Sequence, residues 1–307
     1  MRLILAPMEG LVNGIMRDIL TRIGGIDLCV AEFLRADGNL LPPRIFLATV
    51  PELVNGGCTP AGVPVRVQLL GHDPVVLAEN AARAAELGAP GIDLNFGCPA
   101  PTVNRHGAGA ALLAQPERLH AIVAAVRRAV PEGLPVTAKM RLGLNDTALT
   151  LDCARALQAG GADELTVHAR TRAEAFRPPA HWEWIARIRE AVAIPVIANG
   201  DVWNRRDWEK IREVSGCADV MLGRGLVARP DLARSIRHST QAMPWEALLP
   251  WLREYFERMY AAAPKSAHGF LKQWLNMLRG GFPEAEELYR KVRTENDPQR
   301  LEALLGR

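Results

Sequence analysis

The sequence predicts an α/β protein in which a (β/α)8 TIM barrel is followed by a small all-helical C-terminal domain. Eight short segments rich in β-branched residues or leucine recur through residues 1–225, and most precede a segment of helical composition. This alternation indicates parallel strands joined by crossover helices, and eight such units close into a barrel. From Met243 onward the strand pattern stops, and helical periodicity with Pro and Gly breaks replaces it.

Each element of the barrel is assigned from one of these segments. The predicted strands are Leu3–Ala6, Leu28–Ala31, Val65–Leu69, Ile92–Asn95, Val136–Met140, Glu164–His168, Val196–Ala198 and Val220–Leu222. The predicted helices include Pro74–Leu87, Pro116–Ala129, Thr147–Ala159 and Asn204–Val214. Gly-Ala or Gly-Cys-Ala sequences end several helices before the next strand. We therefore expect a barrel domain at 1–242 and a domain of three or four helices at 243–307.

Composition and charge limit the classes of function. With 49% hydrophobic and 6% aromatic residues, the 307-residue chain has a globular composition. The net charge of +3 is too small to identify a nucleic-acid binder. Five cysteines without a CxxC pair are typical of a reducing cytosol. Because Glu9 interrupts the first apolar run and no segment reaches about 20 apolar residues, we expect a cytoplasmic protein.

Polar or glycine-bearing residues follow every predicted strand. In a TIM barrel the carboxyl ends of the strands form one face, where active sites lie. The residues at these ends are Pro7-Met8-Glu9-Gly10, Glu32-Phe33, Gln68, Asn95 with Cys98, Lys139 with Arg141, His168 with Arg170, Asn199-Gly200-Asp201 and Gly223-Arg224. A purely structural account does not require this pattern, so it predicts a catalytic face.

The last two strand ends predict a phosphate site. Asn199-Gly200-Asp201 and Gly223-Arg224-Gly225 place backbone N–H groups and a guanidinium where strands seven and eight meet. Arg224 would supply charge-assisted hydrogen bonds. The alternative is that these glycines only form tight strand-to-helix turns. No GxGxxG motif follows a strand, which argues against a Rossmann dinucleotide site.

Lys139 ends an apolar strand, where an unpaired ammonium is costly to desolvate. It therefore needs an anionic partner. The negatively charged edge of a reduced flavin is one candidate, and Gln68 is placed to bond the same ring system. An ordinary salt bridge to Asp or Glu is the alternative.

Cys98 is the one cysteine in a position for chemistry. It lies three residues beyond a strand in the sequence DLNFGCPAP, where Gly97 and Pro99 fix the turn. A thiol with a pKa near ~8.5 is mostly protonated at neutral pH and can act as an acid. As a nucleophile it would need a base, and His168 is the candidate at a strand end. Asn95 can donate and accept together, which matches a uracil edge.

His168 and Arg170 lie in the sequence TVHARTR at the end of the sixth predicted strand. A structural histidine is one interpretation, but the neighbouring arginines favour an anionic ligand. The other histidines have no metal-ligand spacing, so no metal site is predicted.

Taken together, these positions resemble the tRNA-dihydrouridine synthases. The matching motifs are APMEG at 6–10, Gln68, DLNFGCP at 93–99, RHGAGAALL at 105–113, KMR at 139–141, HARTR at 168–172, NGD at 199–201 and GRG at 223–225. They cover the whole barrel in the order of the family, and the helical tail matches its second domain. The start MRLILAPMEG and the segment LCVAEFLR look most like the bacterial subclass that modifies uridine 16 of the D-loop.

The resemblance implies an FMN enzyme that reduces the C5=C6 bond of a uridine in tRNA with NADPH as reductant. Cys98 would be the general acid that protonates C5. The residues implied to contact FMN are Pro7, Met8, Glu9, Gln68, Lys139, His168, Asn199, Gly200, Asp201, Gly223 and Arg224. The resemblance places Asn95, Arg141 and Arg170 near the uracil or its phosphate. It also implies binding to the D-loop and elbow of tRNA, and we expect a monomer without membrane or metal association.

The chain departs from the family pattern at two places. Ala100-Pro101-Thr102 follows the Cys-Pro pair where the family often has a basic residue. Phe176 stands where an aromatic hydroxyl is common; its ring can stack on a base but cannot hydrogen-bond.

A uridine must leave its stack to reach the mouth of a barrel, so the RNA has to be held by its backbone and shape. Arg35 and the tail cluster Arg290, Lys291 and Arg293 are the candidate contacts. Solvated surface charge is the alternative for each of them.

Three other functions compete with this interpretation. A free-pyrimidine flavoenzyme similar to dihydroorotate dehydrogenase would share the barrel and FMN but does not need the helical tail. A non-enzymatic tRNA-binding protein would not need eight polar strand ends. A phosphate-handling isomerase would leave Cys98 and Lys139 less well explained.

Overall fold

The protein is a closed eight-stranded parallel barrel with helices between the strands and further helices at the C-terminal end, as the sequence predicts. The computed structural model describes residues 1–306, so position 307 of the predicted tail lies outside them. The strands are β1 Leu3–Leu5, β2 Leu28–Val30, β3 Leu34–Arg35, β4 Val65–Leu70, β5 Ile92–Phe96, β6 Val136–Arg141, β7 Glu164–His168, β8 Val196–Asn199 and β9 Val220–Leu222.

Parallel pairing runs continuously around the barrel. Strand β1 pairs with β2 on one side and with β9 on the other, where Leu3 is opposite Val220. Strand β2 also pairs with β4, and β4 to β9 pair in sequence order, which closes the ring. The short strand β3 pairs in parallel with the end of β4 and was not predicted, because two residues are too few to produce a periodic pattern. All carboxyl ends therefore lie at one face.

The helices that surround or follow the barrel are mostly where the composition placed them. They are α1 Gly14–Ile23, α2 Pro43–Thr49, α3 Pro74–Glu86, α4 Pro101–Asn104, α5 Pro116–Ala129, α6 Thr150–Ala159, α7 Trp182–Ala191, α8 Arg205–Ser215, α9 Arg224–Ala228, α10 Leu232–His238, α11 Trp245–Ala262, α12 Ala267–Leu278, α13 Pro283–Val292 and α14 Pro298–Leu304. Two 3-10 segments lie at Pro51–Asn55 and Gly109–Ala114.

Local chemistry explains where these helices start. Pro74 occupies the first turn of α3, where a missing N–H is harmless, and Asp73 accepts hydrogen bonds from two N–H groups of that turn. Helix α6 begins at Thr150 and not at the predicted Thr147. The carboxylate of Asp146 accepts the N–H of Ala148 at 2.9 Å, and this local turn competes with the helix.

The interior of the barrel has an apolar half and a polar half. Strands β1, β2, β8 and β9 contribute a small buried cluster, consisting of Ile4, Ala6, Leu28, Val30, Ile197 and Met221. Strands β4 to β6 instead bury Gln68, Asp93, Asn95 and Thr137. Buried polar groups require partners, so this half of the barrel must contain a hydrogen-bond network.

The C-terminal helices pack against the barrel near its catalytic face. The indole Nε1 of Trp274 in α12 donates to the carbonyl oxygen of Val227 in α9 at 3.2 Å. The ring of Tyr255 in α11 meets Trp274 edge-on, with ring centroids 4.9 Å apart. The buried core is continuous from the barrel helices into these tail helices. Within residues 1–306, no helix is both long enough and apolar enough to cross a bilayer.

Candidate active site

A cavity of about 620 Å³ opens at the carboxyl ends of the strands. This size lies within the usual range for ligand sites. The predicted residues that line it are Pro7, Met8, Glu9, Gln68, Asn95, Cys98, Lys139, Arg141, His168, Phe176, Asn199, Gly200, Asp201, Gly223 and Arg224. The tertiary structure therefore brings most of the strand-end residues to one cavity.

Lys139 lies largely buried at this cavity. Its Nζ donates to Asn199 Oδ1 at 3.3 Å, and within residues 1–306 it forms no ion pair with a carboxylate. Burial and, after it, the charge of Arg141 lower the pKa of Lys139 to about 8, while Asp93 opposes both effects. The ammonium has donors left over for a ligand, and its environment favours an anion.

The side-chain amide of Asn95 is largely used by the protein itself. Its Oδ1 accepts the N–H groups of Gly97 at 3.0 Å and Cys98 at 2.9 Å, and its Nδ2 donates to Gln68 Oε1 at 2.9 Å. A carboxamide has two donor hydrogens and two acceptor lone pairs, so one Nδ2 hydrogen is left for a substrate. Asn95 was predicted both to donate to a uracil and to accept from it, but its Oδ1 is already used by the two backbone N–H groups and only donation remains.

Cys98 is half-buried at the cavity, with its thiol in the turn that Asn95 organises. Burial raises the pKa of Cys98; the charge of Glu9 raises it too, and the charges of Arg35 and Arg141 oppose this. The thiol is therefore protonated at neutral pH, as an acid must be. The other four cysteines are free as well, and three of them are buried.

His168, Arg170 and Asp201 form a charged cluster beside the cavity. Arg170 is fully buried, donates from Nη2 to Asp201 and from Nε to the carbonyl oxygen of Arg177, and has its Nη1 3.4 Å from His168 Nε2. Burial and the charges of Arg141, Lys139, Arg170 and Arg224 lower the pKa of His168 well below its usual value. Because a guanidinium only donates, the neutral imidazole carries its proton on Nδ1.

This cluster changes the interpretation of Arg170. The residue is predicted to lie near the uracil or its phosphate, yet it does not line the cavity. Its buried ion pair with Asp201 instead anchors the loop after β8 to the end of β7. Asp201 also faces Arg224, with 3.5 Å between Oδ1 and Nη2.

Arg141 connects two loops of the catalytic face. Its Nε donates to the carbonyl oxygen of Gly97 at 2.8 Å, and its Nη1 donates to those of Thr171 and Ala175. Burial and, after it, the charge of Arg170 lower the pKa of Arg141 to about 10. This mutual lowering among cations indicates an excess of positive charge that an anionic ligand would relieve.

The two glycines around Arg224 have different physical explanations. A Cβ on Gly225 would lie 1.9 Å from the carbonyl oxygen of Val202, so close packing alone excludes a side chain there. A Cβ on Gly223 would meet only ordinary contacts at 3.8 Å, so packing does not require this glycine. Gly223 keeps the cavity open beside the first turn of α9, whose first N–H groups have no intrahelical acceptor.

Comparison with known proteins assigns the family. The family model described as "Dihydrouridine synthase (Dus)" matches residues 4–303. A tRNA-dihydrouridine(16) synthase of Pseudomonas putida is 56% identical over 312 residues, covering 100% of this chain and 97% of that protein. The chain belongs to the dihydrouridine synthase family. A second relative with the same name, from Aquipseudomonas alcaligenes, is 55% identical and covers 100% of this chain and 99% of its own.

Solved structures agree on the fold of this dihydrouridine synthase. An old yellow enzyme homologue from Zymomonas mobilis superposes with a TM-score of 0.54 at 13% identity, covering 81% of this chain and 92% of that chain. At this identity the likeness concerns the barrel fold alone.

Sequence reasoning missed several residues of this synthase that line the cavity. Gln273 and Met277 reach it from α12 of the C-terminal helices, and Trp203 reaches it from the loop after β8. Helical periodicity in the tail gave no sign of them, because only packing of α12 against α9 places that face at the cavity.

The predicted RNA contacts of this synthase lie outside the cavity and are partly neutralised. Arg290 and Lys291 of α13 pair with Glu286 and Glu287, one turn earlier on the same helix. Arg35 faces Asp37, with 3.9 Å between Nε and Oδ2. Phe176 differs from them because it lies at the mouth, half exposed, and the guanidinium carbons of Arg141 and Arg224 are 5.1 and 5.0 Å from its ring centroid.

Proposed function

We propose that this synthase reduces the C5=C6 bond of uridine 16 in the tRNA D-loop to dihydrouridine, with FMN as cofactor and NADPH as reductant. The observation that carries the proposal is one cavity lined by the Cys98 thiol, by the Lys139 ammonium, which has no carboxylate partner within residues 1–306, and by Arg224 between two glycines. The names of the relatives support tRNA and position 16. This function fits an oxidoreductase of the cytoplasm, acting as a monomer.

The residues at the cavity fit a flavin mononucleotide. Lys139 and one unused N–H of Gln68 suit an electron-rich ring edge, and the neutral His168 can donate from Nδ1. Arg224 and the first N–H groups of α9 suit a phosphate monoester beside Gly223, while Asn199, Gly200 and Asp201 shape the opposite loop. Pro7, Met8 and Glu9 complete the wall. When bound, the flavin supplies the hydride that reduces the uracil ring.

Cys98 supplies the proton in this reaction. The turn of Gly97 and Pro99 holds the thiol at the cavity, and burial keeps it protonated at neutral pH by raising its pKa. A protonated group positioned at the reacting carbon needs no water to deliver its proton. Asn95 holds the Cys98 turn with its oxygen and offers one N–H to the uracil.

Substrate binding requires that the uridine leave its stack, because the reactive atoms lie inside a barrel mouth. Phe176 at the mouth suits stacking on a base, and Arg141 has guanidinium nitrogen left for a carbonyl or phosphate oxygen. We assign residues 1–242 to catalysis and residues 243–307 to tRNA docking. Gln273 and Met277 of α12 line the cavity, which supports the assignment of these helices to docking.

The reaction and its position can be tested together. Purified protein is incubated with NADPH and tRNA that lacks dihydrouridine, and the product is mapped nucleotide by nucleotide. We expect reduction confined to uridine 16. A yellow protein that oxidises NADPH but leaves every uridine intact would contradict the proposal and favour a free pyrimidine as substrate.

Docking by the tail predicts a change in salt dependence. Replacing Arg290, Lys291 and Arg293 by alanine removes three cations, two of which are paired with glutamates. We expect weaker tRNA binding and a dependence of log K on log salt that is less steep by about 2 units, since each lost phosphate contact contributes nearly one.

The matched control removes exposed arginines from the barrel wall. Arg128→Ala with Arg155→Ala, on α5 and α6, should leave the salt slope of tRNA binding unchanged. An equal slope for the tail variant and the unmodified protein would exclude α13 from the docking surface.

A further inference from the structure

Asp93 is a buried titratable residue to which the proposed reaction assigns no role. It lies on β5 in the polar half of the barrel interior and is 2% exposed. Its Oδ2 accepts Gln68 Nε2 from β4 at 2.7 Å, and its Oδ1 accepts Thr137 Oγ1 from β6 at 2.6 Å. The three residues are neighbours in register, so they form one layer across three strands.

A continuous chain of hydrogen bonds leads from this layer to the thiol turn. Gln68, held by Asp93 through Nε2, accepts Asn95 Nδ2 at its Oε1, 2.9 Å away. The Oδ1 of Asn95 then accepts the backbone N–H groups of Gly97 and Cys98. Asp93 is therefore two side chains away from the backbone of the residue that carries the acid.

The direction of every bond in this chain follows from the carboxylate. Both oxygens of Asp93 accept, Oδ2 from Gln68 and Oδ1 from Thr137, so Gln68 turns its NH2 toward Asp93 and its oxygen toward Asn95. Asn95 must then turn its NH2 toward Gln68, which leaves its oxygen for the two backbone N–H groups. Side-chain amides are nearly symmetric in shape and are oriented by their partners. One buried carboxyl group that accepts at both oxygens thus orients both amides.

Burial of Asp93 raises its pKa more than its neighbours lower it. The hydrogen bonds from Gln68 and Thr137 and the charges of Arg66 and Lys139 are the opposing effects. Two donors and two cations face this carboxyl from the strands on either side of it.

We propose that Asp93 is a positioning residue for Cys98: through Gln68 and Asn95 it orients the turn that holds the acid at the substrate. The inference rests on the proposed function only for the role of the thiol, since the hydrogen-bond chain is independent of any substrate. Asp93 contacts no reacting atom. Its effect reaches the cavity through two amide orientations.

A carboxylate exchange tests this chain. In Asp93→Asn, the introduced NH2 group must face either Gln68 Nε2 or Thr137 Oγ1. The donor that it faces then loses its acceptor. Pairing Asp93→Asn with Gln68→Glu restores every bond. The introduced amide donates its NH2 to the introduced carboxylate and accepts Thr137 at its oxygen, and the second carboxylate oxygen still accepts from Asn95. The pair also keeps the number of buried carboxylates constant.

The readout is the alkylation rate of Cys98 by iodoacetamide in each purified full-length variant, resolved by peptide mass. We expect Asp93→Asn to raise the rate about fivefold, as loss of one hydrogen bond loosens the turn, and the double variant to return it to the original value. Partly buried Cys58 in the same chain reports on global loosening. Asp163→Asn, which removes a carboxylate bonded to the N–H of Val136, should leave the Cys98 rate unchanged.

Two results would overturn the inference: an unchanged Cys98 rate in Asp93→Asn, or a double variant as fast as the single one. If Asp93→Asn unfolds, Cys58 reacts faster as well, and the double variant alone decides. The measurement needs neither tRNA nor NADPH. The alkylation rates would therefore still test the role of Asp93 if the proposed reaction proved wrong.

Discussion

Replacing Cys98 by alanine should leave the protein yellow and lower its turnover on tRNA by at least about 100-fold, the contribution typical of a positioned general acid. The thiol is the protonated group that the turn after β5 holds at the cavity, and burial keeps its pKa high. Alanine removes the thiol proposed as proton donor and leaves Lys139 and Arg224 of the proposed flavin site intact. Visible absorbance measures flavin retention, and dihydrouridine formed per enzyme under single-turnover conditions measures the chemical step.

Cys58→Ala is the matched control, since this thiol is also free and partly buried but lies at the opposite end of β4. Its turnover should equal that of the unmodified protein. Unaltered turnover in Cys98→Ala would remove Cys98 as the acid and leave the flavin assignment standing.

Replacing Lys139 by methionine should have opposite effects on the protein with and without its cofactor. Without flavin, the buried ammonium opposes folding, so we expect Lys139→Met to raise the free energy of unfolding at pH 7 by about 2 kcal/mol. In the proposed flavin site, this ammonium would be the cation beside the electron-rich ring edge. We therefore expect the variant to lose most of its bound flavin and of its turnover.

The stability effect has a definite pH dependence. Lys139 has a pKa of about 8 in the folded protein against an ordinary value of 10.5, so its charge disfavours the folded state. The cost is fully present below pH 8 and fades between about pH 8 and 10.5, where the folded protein has released the proton and the unfolded chain has not. The advantage of Lys139→Met should therefore shrink across this range in denaturant titrations of flavin-free protein.

Lys210→Met provides the comparison, because Lys210 is an exposed residue of α8. It should change neither the stability difference across this pH range nor the flavin content. Equal stability of Lys139→Met and the unmodified protein at pH 7, with flavin retained, would contradict both the burial argument and the cofactor contact.

Most of the polar residues predicted at the strand ends line the cavity. Gln68, Lys139, His168 and Arg224 were found from one rule, that polar residues after parallel strands meet at one face. Their shared cavity follows from chain order and from the closure of the sheet. Arg170 shows the limit of that rule: it lies two residues beyond β7, yet it does not line the cavity and its guanidinium pairs with Asp201, which does.

Hydrogen-bond partners also distinguish what the sequence indicates from what the folded structure shows. The sequence indicated that Asn95 can donate and accept, but only the folded strands show that its oxygen is used by the Cys98 turn. Gln273 and Met277 had no local signal at all, because their contact with the cavity depends on how α12 packs on α9. The sequence shows the positive charges of the tail cluster directly. The pairing of Arg290 with Glu286 forms only in a helix, because residues four positions apart then lie on the same face.

The sequence by itself determined the barrel, the order of its strands, the family and the strand ends that line the cavity, because hydrophobic periodicity and turn residues act over a few positions. The tertiary structure alone decided which groups of those strand ends line the cavity and which bond to the protein itself. That choice depends on distances between strands far apart in the chain, such as those that join Asp93, Gln68 and Thr137 in one buried layer. Burial then sets the protonation of Cys98 and Lys139, since the cost of charge depends on the whole surrounding fold.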